Sequence, residues 1–227
     1  MTINLKLLVA ETVGIFTIFG LALFLPAGTL AWPAGWIWLL LFFSFFVGVQ
    51  IWLYRHDPGL LQERLHLGTS DQQSWDKALF TLTESILIAW LVFSSLDGGR
   101  FHWSALPVGL QAVGGLLLLS SFCLLFLTFR ENSYASVAVR VQSERGQTVI
   151  STGPYRHIRH PMYSAILIFV LGTTLLLGSA YGLILGLIAV ALFGRRAVLE
   201  ERMLVKQLPG YAEYESRVRY RFIPHVW

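Results

Sequence analysis

Residues 161–193 read PMYSAILIFVLGTTLLLGSAYGLILGLIAVALF, and the fold depends on whether they form one helix or two. The five residues Gly178-Ser179-Ala180-Tyr181-Gly182 make a tight-turn sequence in the middle. At about 1.5 Å per residue, each half then nearly crosses a thinned bilayer. The stretch is therefore expected to be a helical hairpin, Pro161–Leu177 and Tyr181–Phe193, in preference to one long helix. Working outward, four further apolar stretches fall near Leu7–Leu25, Trp36–Tyr54, Leu79–Leu96 and Leu106–Phe129. The longer ones meet the length of about 20 residues that a spanning helix needs. The expected fold is an all-α polytopic membrane helix bundle with about six transmembrane helices, five being the alternative count.

Composition agrees. Hydrophobic residues make up 55% and charged residues 13% of the 227, with a mean hydropathy of +0.62, whereas a soluble domain carries about 25% charged residues. Six spans place Lys6, Arg55, Arg64, Lys77, the five arginines of 130–160 and the seven basic residues after 193 on one face, with only Arg100 opposite. The positive-inside rule then puts both termini, and every polar segment discussed below, in the cytoplasm. Five spans would move the last basic cluster across the membrane. The first apolar run is longer than a secretory h-region and contains Glu11, so it reads as a retained helix. The net charge of +4 fits anionic headgroups at helix ends rather than nucleic acid. Cys123, the only cysteine, excludes a disulfide within the chain.

Chemistry concentrates in the polar run that leads into the hairpin, Thr152-Gly153-Pro154-Tyr155-Arg156-His157-Ile158-Arg159-His160-Pro161-Met162-Tyr163. Gly153-Pro154 punctuates a loop, and Pro161 suits the first turn of a helix, where a missing N–H costs nothing. Past the hairpin, Arg195-Arg196 and Glu200-Glu201 lie on an amphipathic segment, 194–207, that continues the last span. Arg196 and Glu200, spaced i, i+4, share a helix face, which allows them to pair as an ordinary helix salt bridge.

Gly-Pro-Tyr, then Arg-His-Pro-x-Tyr, an apolar hairpin and Arg-x-x-x-Glu-Glu together resemble the isoprenylcysteine carboxyl methyltransferase family, related to the membrane phospholipid methyltransferases. The resemblance covers residues 130–224. Residues 1–129 read as generic membrane helices, and 130–227 as a cofactor-binding core with a hairpin and a cytoplasmic C-terminal segment, the two forming one integrated membrane domain. The resemblance implies an S-adenosyl-L-methionine-dependent enzyme, with S-adenosylhomocysteine as product, whose cofactor pocket is built from the cytoplasmic loop and the C-terminal helix. It further implies a lipophilic or prenylated acceptor methylated on its carboxylate.

Residue by residue, the resemblance assigns Gln142, Gln147, Val149, Ile150, Tyr155, His160, Pro161, Tyr163 and Glu200 to the cofactor and Arg196 to the substrate. Arg196 and Glu201 are the catalytic candidates. Arg196 suits a carboxylate, while Glu200 suits an ammonium or a ribose. Related chains commonly carry His where Gln147 stands, and glutamine retains hydrogen bonding without a titratable group. A carboxylate acceptor needs no base; an amine or thiol would, with Glu201, Glu200 or His160 as candidates.

Other readings stand beside these. Tyr155 and Tyr163 also fit an interfacial aromatic belt, Arg156 and Arg159 fit lipid-headgroup anchors, and His160 fits a helix cap. No metal site is expected, because the remaining histidines are scattered. Glu11 and Glu84, inside apparent spans, are candidates for hydrated structural roles. Leu60, Leu61, Leu65 and Leu67, in the polar loop 55–78, are expected on the membrane surface. No glycine-rich phosphate loop follows a strand, which excludes a soluble methyltransferase fold. A phospholipid amine or small-thiol methyltransferase, a transporter and a structural membrane protein are the alternatives. The acceptor and the oligomeric state are not legible.

Overall fold

A computed structural model describes residues 3–65, 72–104 and 106–227. Eight α-helices follow in order: α1 Leu5–Ala27, α2 Pro33–His56, α3 Pro58–Leu65, α4 Ser74–Ser95, α5 Val108–Glu131, α6 Pro161–Leu176, α7 Gly182–Gln207 and α8 Tyr211–Arg217. Among the described residues there is no strand, only a single bridge between Ile158 and Tyr220. Local chemistry sets the boundaries. The Asn4 side chain accepts from the backbone N–H groups of Lys6 and Leu7 to cap α1. Pro33 and Pro161 occupy the first turns of α2 and α6. Asp57 Oδ1 accepts from the Leu60 N–H at 2.9 Å and starts α3 directly after α2.

The hairpin forms as the sequence predicts. Gly178, at φ +79°, turns the chain between α6 and α7 in a left-handed conformation open to glycine. Among the described residues five helices are long and apolar enough to cross a membrane, and α6, at 16 residues, is shorter. Large apolar side chains point outward along them, Leu40 and Leu116 among the most exposed, as helices facing lipid require. The chain is an integral membrane protein.

Inside, α5 packs closely on α6 because Gly114 and Gly172 face each other. A Cβ on either would lie within 3 Å of the other helix's backbone, the small-residue contact expected between membrane helices. The indoles of Trp38 and Trp90 are buried and donate to the hydroxyls of Thr173 (2.8 Å) and Thr174 (3.2 Å) on α6. The start of α1, the end of α2, α3 and the end of α5 share one apolar cluster that includes Leu8, Leu53, Leu60 and Phe129. At the opposite end Arg100 lies beside Gly28. Helices thus alternate in direction, and sixteen of the seventeen basic residues lie toward the end where α1 begins.

One expectation is corrected here. Leu60 and Leu61 are buried against Val49, Leu53 and Phe129, and Leu65 packs on the same cluster, rather than lying on a membrane surface. Leu67 lies outside the described residues. The helix continues so soon after α2 that its apolar side faces the bundle.

Candidate active site

At the basic end, the 132–160 loop, the second half of α7 and α8 enclose a recess of about 820 Å³ including its open mouth. The loop holds its shape through its own polar residues. Asn132 Nδ2 donates to the Tyr155 hydroxyl at 2.8 Å. Gln147 Oε1 accepts from the Gln142 N–H at 2.7 Å, and Gln142 Nε2 donates to the Tyr134 carbonyl at 2.9 Å. Tyr214 of α8 donates to the Tyr155 carbonyl at 2.8 Å and ties the tail to the loop. Burial pushes the hydroxyls of Tyr155, Tyr211 and Tyr214 above the ordinary phenol range, so all three stay neutral.

Of the residues singled out in the sequence, Gln147, Val149, Ile150, Tyr155, His160, Tyr163, Arg196 and Glu200 line this recess together. Gln142, Pro161 and Glu201 do not. Gln142 is spent on the loop scaffold, where its Oε1 also takes a hydrogen bond from Arg145, and Pro161 is the buried start of α6.

Glu201 is a buried hub. Its Oε1 accepts from Arg159 Nε at 2.6 Å and lies 3.0 Å from His160 Nε2, while Oε2 accepts from Arg221 Nε at 2.7 Å. Arg159 also donates to the carbonyls of Val218 (2.7 Å) and Arg219 (3.1 Å). Burial opposes the charge of Arg159, but the bond to Glu201 outweighs it and holds the guanidinium above its usual range. Arg159 is therefore an internal strut for the C-terminal tail, which corrects its reading as a headgroup anchor. With both carboxylate oxygens engaged, Glu201 orients His160 rather than facing the recess.

Arg196 does not take Glu200, the partner their spacing allows, but Asp76. Its Nε donates to Asp76 Oδ1 at 2.6 Å and its Nη2 to Asp76 Oδ2 at 3.1 Å, with a further bond of 2.6 Å to the Val137 carbonyl. Asp76, fully buried on the first turn of α4, also accepts from the Val139 N–H at 2.9 Å. The arginine thus locks α4, α7 and the loop together. Glu200 instead accepts from the Tyr163 hydroxyl at 2.8 Å, and Tyr163 stacks on the His160 ring at 5.3 Å. Among the residues lining the recess Glu200 is the one carboxylate, held by the Tyr163 hydroxyl, while Arg140, Arg159 and Arg196 are each already paired with an acid.

Sequence reasoning missed Asp76, Tyr211 and Tyr214. Only Asp76 carried a signal, as an acid one turn before an apolar run. The His, Cys, Asp and Glu side chains among the described residues form no group of three set to hold a metal ion.

With this geometry in hand, the comparison with known families is specific. Residues 110–209 match the phospholipid methyltransferase family, from the first turn of α5 to just past α7. The match takes in the loop, the hairpin and the Arg-x-x-x-Glu-Glu helix, and it agrees with the family that the motifs resemble. No curated protein matches the chain.

Proposed function

We propose, from the match of residues 110–209 to the phospholipid methyltransferase family, that the recess binds S-adenosyl-L-methionine and passes its methyl group to a lipophilic acceptor. The observation that carries this is the junction of two cavities of opposite character. The polar recess and an apolar cavity inside the bundle are both lined by Met162. A sulfonium methyl held at that wall faces a water-poor space. Transfer by in-line displacement needs little beyond alignment and desolvation of the acceptor there. Tyr155, Tyr211 and Tyr214 offer flat apolar faces to an adenine, and Glu200 suits the ammonium or ribose of the donor.

Replacing Glu200 by Ala removes that carboxylate without opening a buried ion pair. Affinity for S-adenosylhomocysteine, measured by calorimetry, is expected to fall about tenfold or more, near 1.4 kcal/mol. Unchanged affinity would remove Glu200 from the donor site.

The acceptor has two readings. An isoprenylcysteine-like carboxylate needs no base and finds a cation in Arg196. Asp76 and the Val137 carbonyl already hold that guanidinium, however, which favours a second reading, a lipid amine.

The split of basic residues supports a cytoplasmic recess and cytoplasmic termini. Cysteine labels at Ser151 and Gln207, in a Cys123→Ser background, are expected to react only from the cytoplasmic side, and labels at Thr29 and Val108 only from the other. Gly99 is a poor label site, since a Cβ there would come 2.8 Å from that of Ala27. Labelling of Ser151 from the outer side would invert the topology.

A further inference from the structure

The apolar cavity lies within the bundle, walled by rings such as Phe42, Phe122 and Phe169. Four polar side chains reach it: Glu11, Gln50, Arg64 and Glu84. Two are engaged by the protein. Gln50 Oε1 accepts from the Thr12 hydroxyl at 2.9 Å. Arg64 donates to the Ala135 carbonyl at 2.9 Å and lies over the Phe129 ring at 4.5 Å. Glu11 lies in the field of Arg64, with its Oε2 buried and without a hydrogen-bond partner.

Glu84, in the field of Arg196, is the second carboxylate here and differs from Glu11 in its position. Among the described residues its carboxylate has neither a hydrogen bond nor an ion pair, and the side chain is half-buried in the cavity wall. One turn before it on α4, Phe80 lies 5.6 Å under the Arg196 guanidinium. One turn after it, Leu87 packs on the cluster of Tyr163 and Phe193. Glu84 therefore opens into the apolar cavity at the level of residues that border the recess. A carboxylate in such surroundings is costly unless something binds it, and the nearest cation, Arg196, already has its fork filled by Asp76.

We propose that Glu84 selects the acceptor, its carboxylate receiving the amine head of an amphiphile whose chain fills the apolar cavity. This rests on the methyltransferase reading of the recess. An ammonium head gives one proton to Glu84, which frees the nitrogen lone pair. That pair forms the N–C bond as the C–S bond breaks, and the C–S electrons return to sulfur. The sulfonium becomes a neutral thioether and the product is a methylated ammonium. In a water-poor space the neutral amine and neutral carboxyl are the favoured pair, so the proton moves readily.

The test uses the full chain in nanodiscs, labelled S-adenosyl-L-methionine, and dodecylamine and dodecanoate as acceptor probes. Wild type is expected to methylate dodecylamine in preference to dodecanoate. Glu84→Gln, which keeps size and removes charge, should lower kcat/KM for dodecylamine about thirtyfold or more while S-adenosylhomocysteine affinity stays within about twofold. Glu84→Asp should restore part of the rate, and Glu84→Gln should spare or raise any transfer to dodecanoate. Near-wild-type amine transfer in Glu84→Gln, or a wild-type preference for dodecanoate, overturns the assignment. A wild-type protein that binds S-adenosylhomocysteine but methylates neither probe overturns it as well. Failure of wild type to bind S-adenosylhomocysteine instead overturns the underlying reading of the recess.

Discussion

Replacing Asp76 by Ala is expected to destabilise the protein by about 3–5 kcal/mol, because it leaves the largely buried Arg196 guanidinium without its carboxylate partner. Asp76 is fully buried and Arg196 is 4% exposed, and the two bonds between them are short and side by side. The effect should reach beyond the pair. Asp76 also receives the Val139 N–H, so its loss frees the loop wall of the recess, and S-adenosylhomocysteine affinity should drop with stability. Arg196→Lys is expected to behave similarly, since a single ammonium cannot reproduce a planar fork shared between a carboxylate and the Val137 carbonyl. The double replacement Asp76→Leu with Arg196→Met should recover much of the stability, as apolar substitutes for buried pairs often do, but not the binding. Thermal inactivation of the four proteins in detergent measures this. A double variant less stable than Asp76→Ala would contradict the coupling of the pair.

Glu201→Ala is expected to have an effect of comparable size through a different route. Three basic side chains, Arg159, His160 and Arg221, converge on this one carboxylate. Removing it leaves two guanidinium groups facing each other within the fold and releases His160 from its orientation. The tail 218–222 should loosen first, because Arg159 holds the carbonyls of Val218 and Arg219 and the Arg159 and His160 N–H groups bond the carbonyls of Tyr220 and Arg221. Limited proteolysis is expected to cut near residue 219 in Glu201→Ala and not in wild type. Glu201→Gln should be milder, because an amide still accepts from Arg159. Equal resistance of Glu201→Ala and wild type would show that the hub does not hold the tail.

What the sequence made legible was whatever is encoded in nearest neighbours. The apolar runs, the turn at Gly178, the proline starts of α2 and α6 and the one-sided distribution of Lys and Arg are local signals, and the helices follow them. The 152–163 motif and Glu200 were likewise visible as a cluster, and the fold brings Tyr155, His160, Tyr163 and Glu200 from it to one recess. What stayed hidden were choices between partners far apart in the chain. Arg196 had a candidate partner four residues away in Glu200, yet it takes Asp76, 120 positions earlier. Glu200 in turn takes Tyr163 across the helix interface. Arg159 looked like a membrane-facing cation because nothing nearby in sequence could neutralise it, and its partner Glu201 is 42 residues on. Leu60 and Leu61 read as surface residues because a short helix after a span can lie either way, and only contact with Phe129 and Val49 decides which.

The central claim, that the recess at the basic end of this bundle holds the methyl donor, is most directly tested by titrating purified wild-type protein in nanodiscs with S-adenosylhomocysteine in a calorimeter. One saturable site per chain is expected, with a dissociation constant on the order of micromolar, about −8 kcal/mol. Absence of saturable heat up to roughly millimolar ligand, where binding is weaker than about −4 kcal/mol, would contradict it.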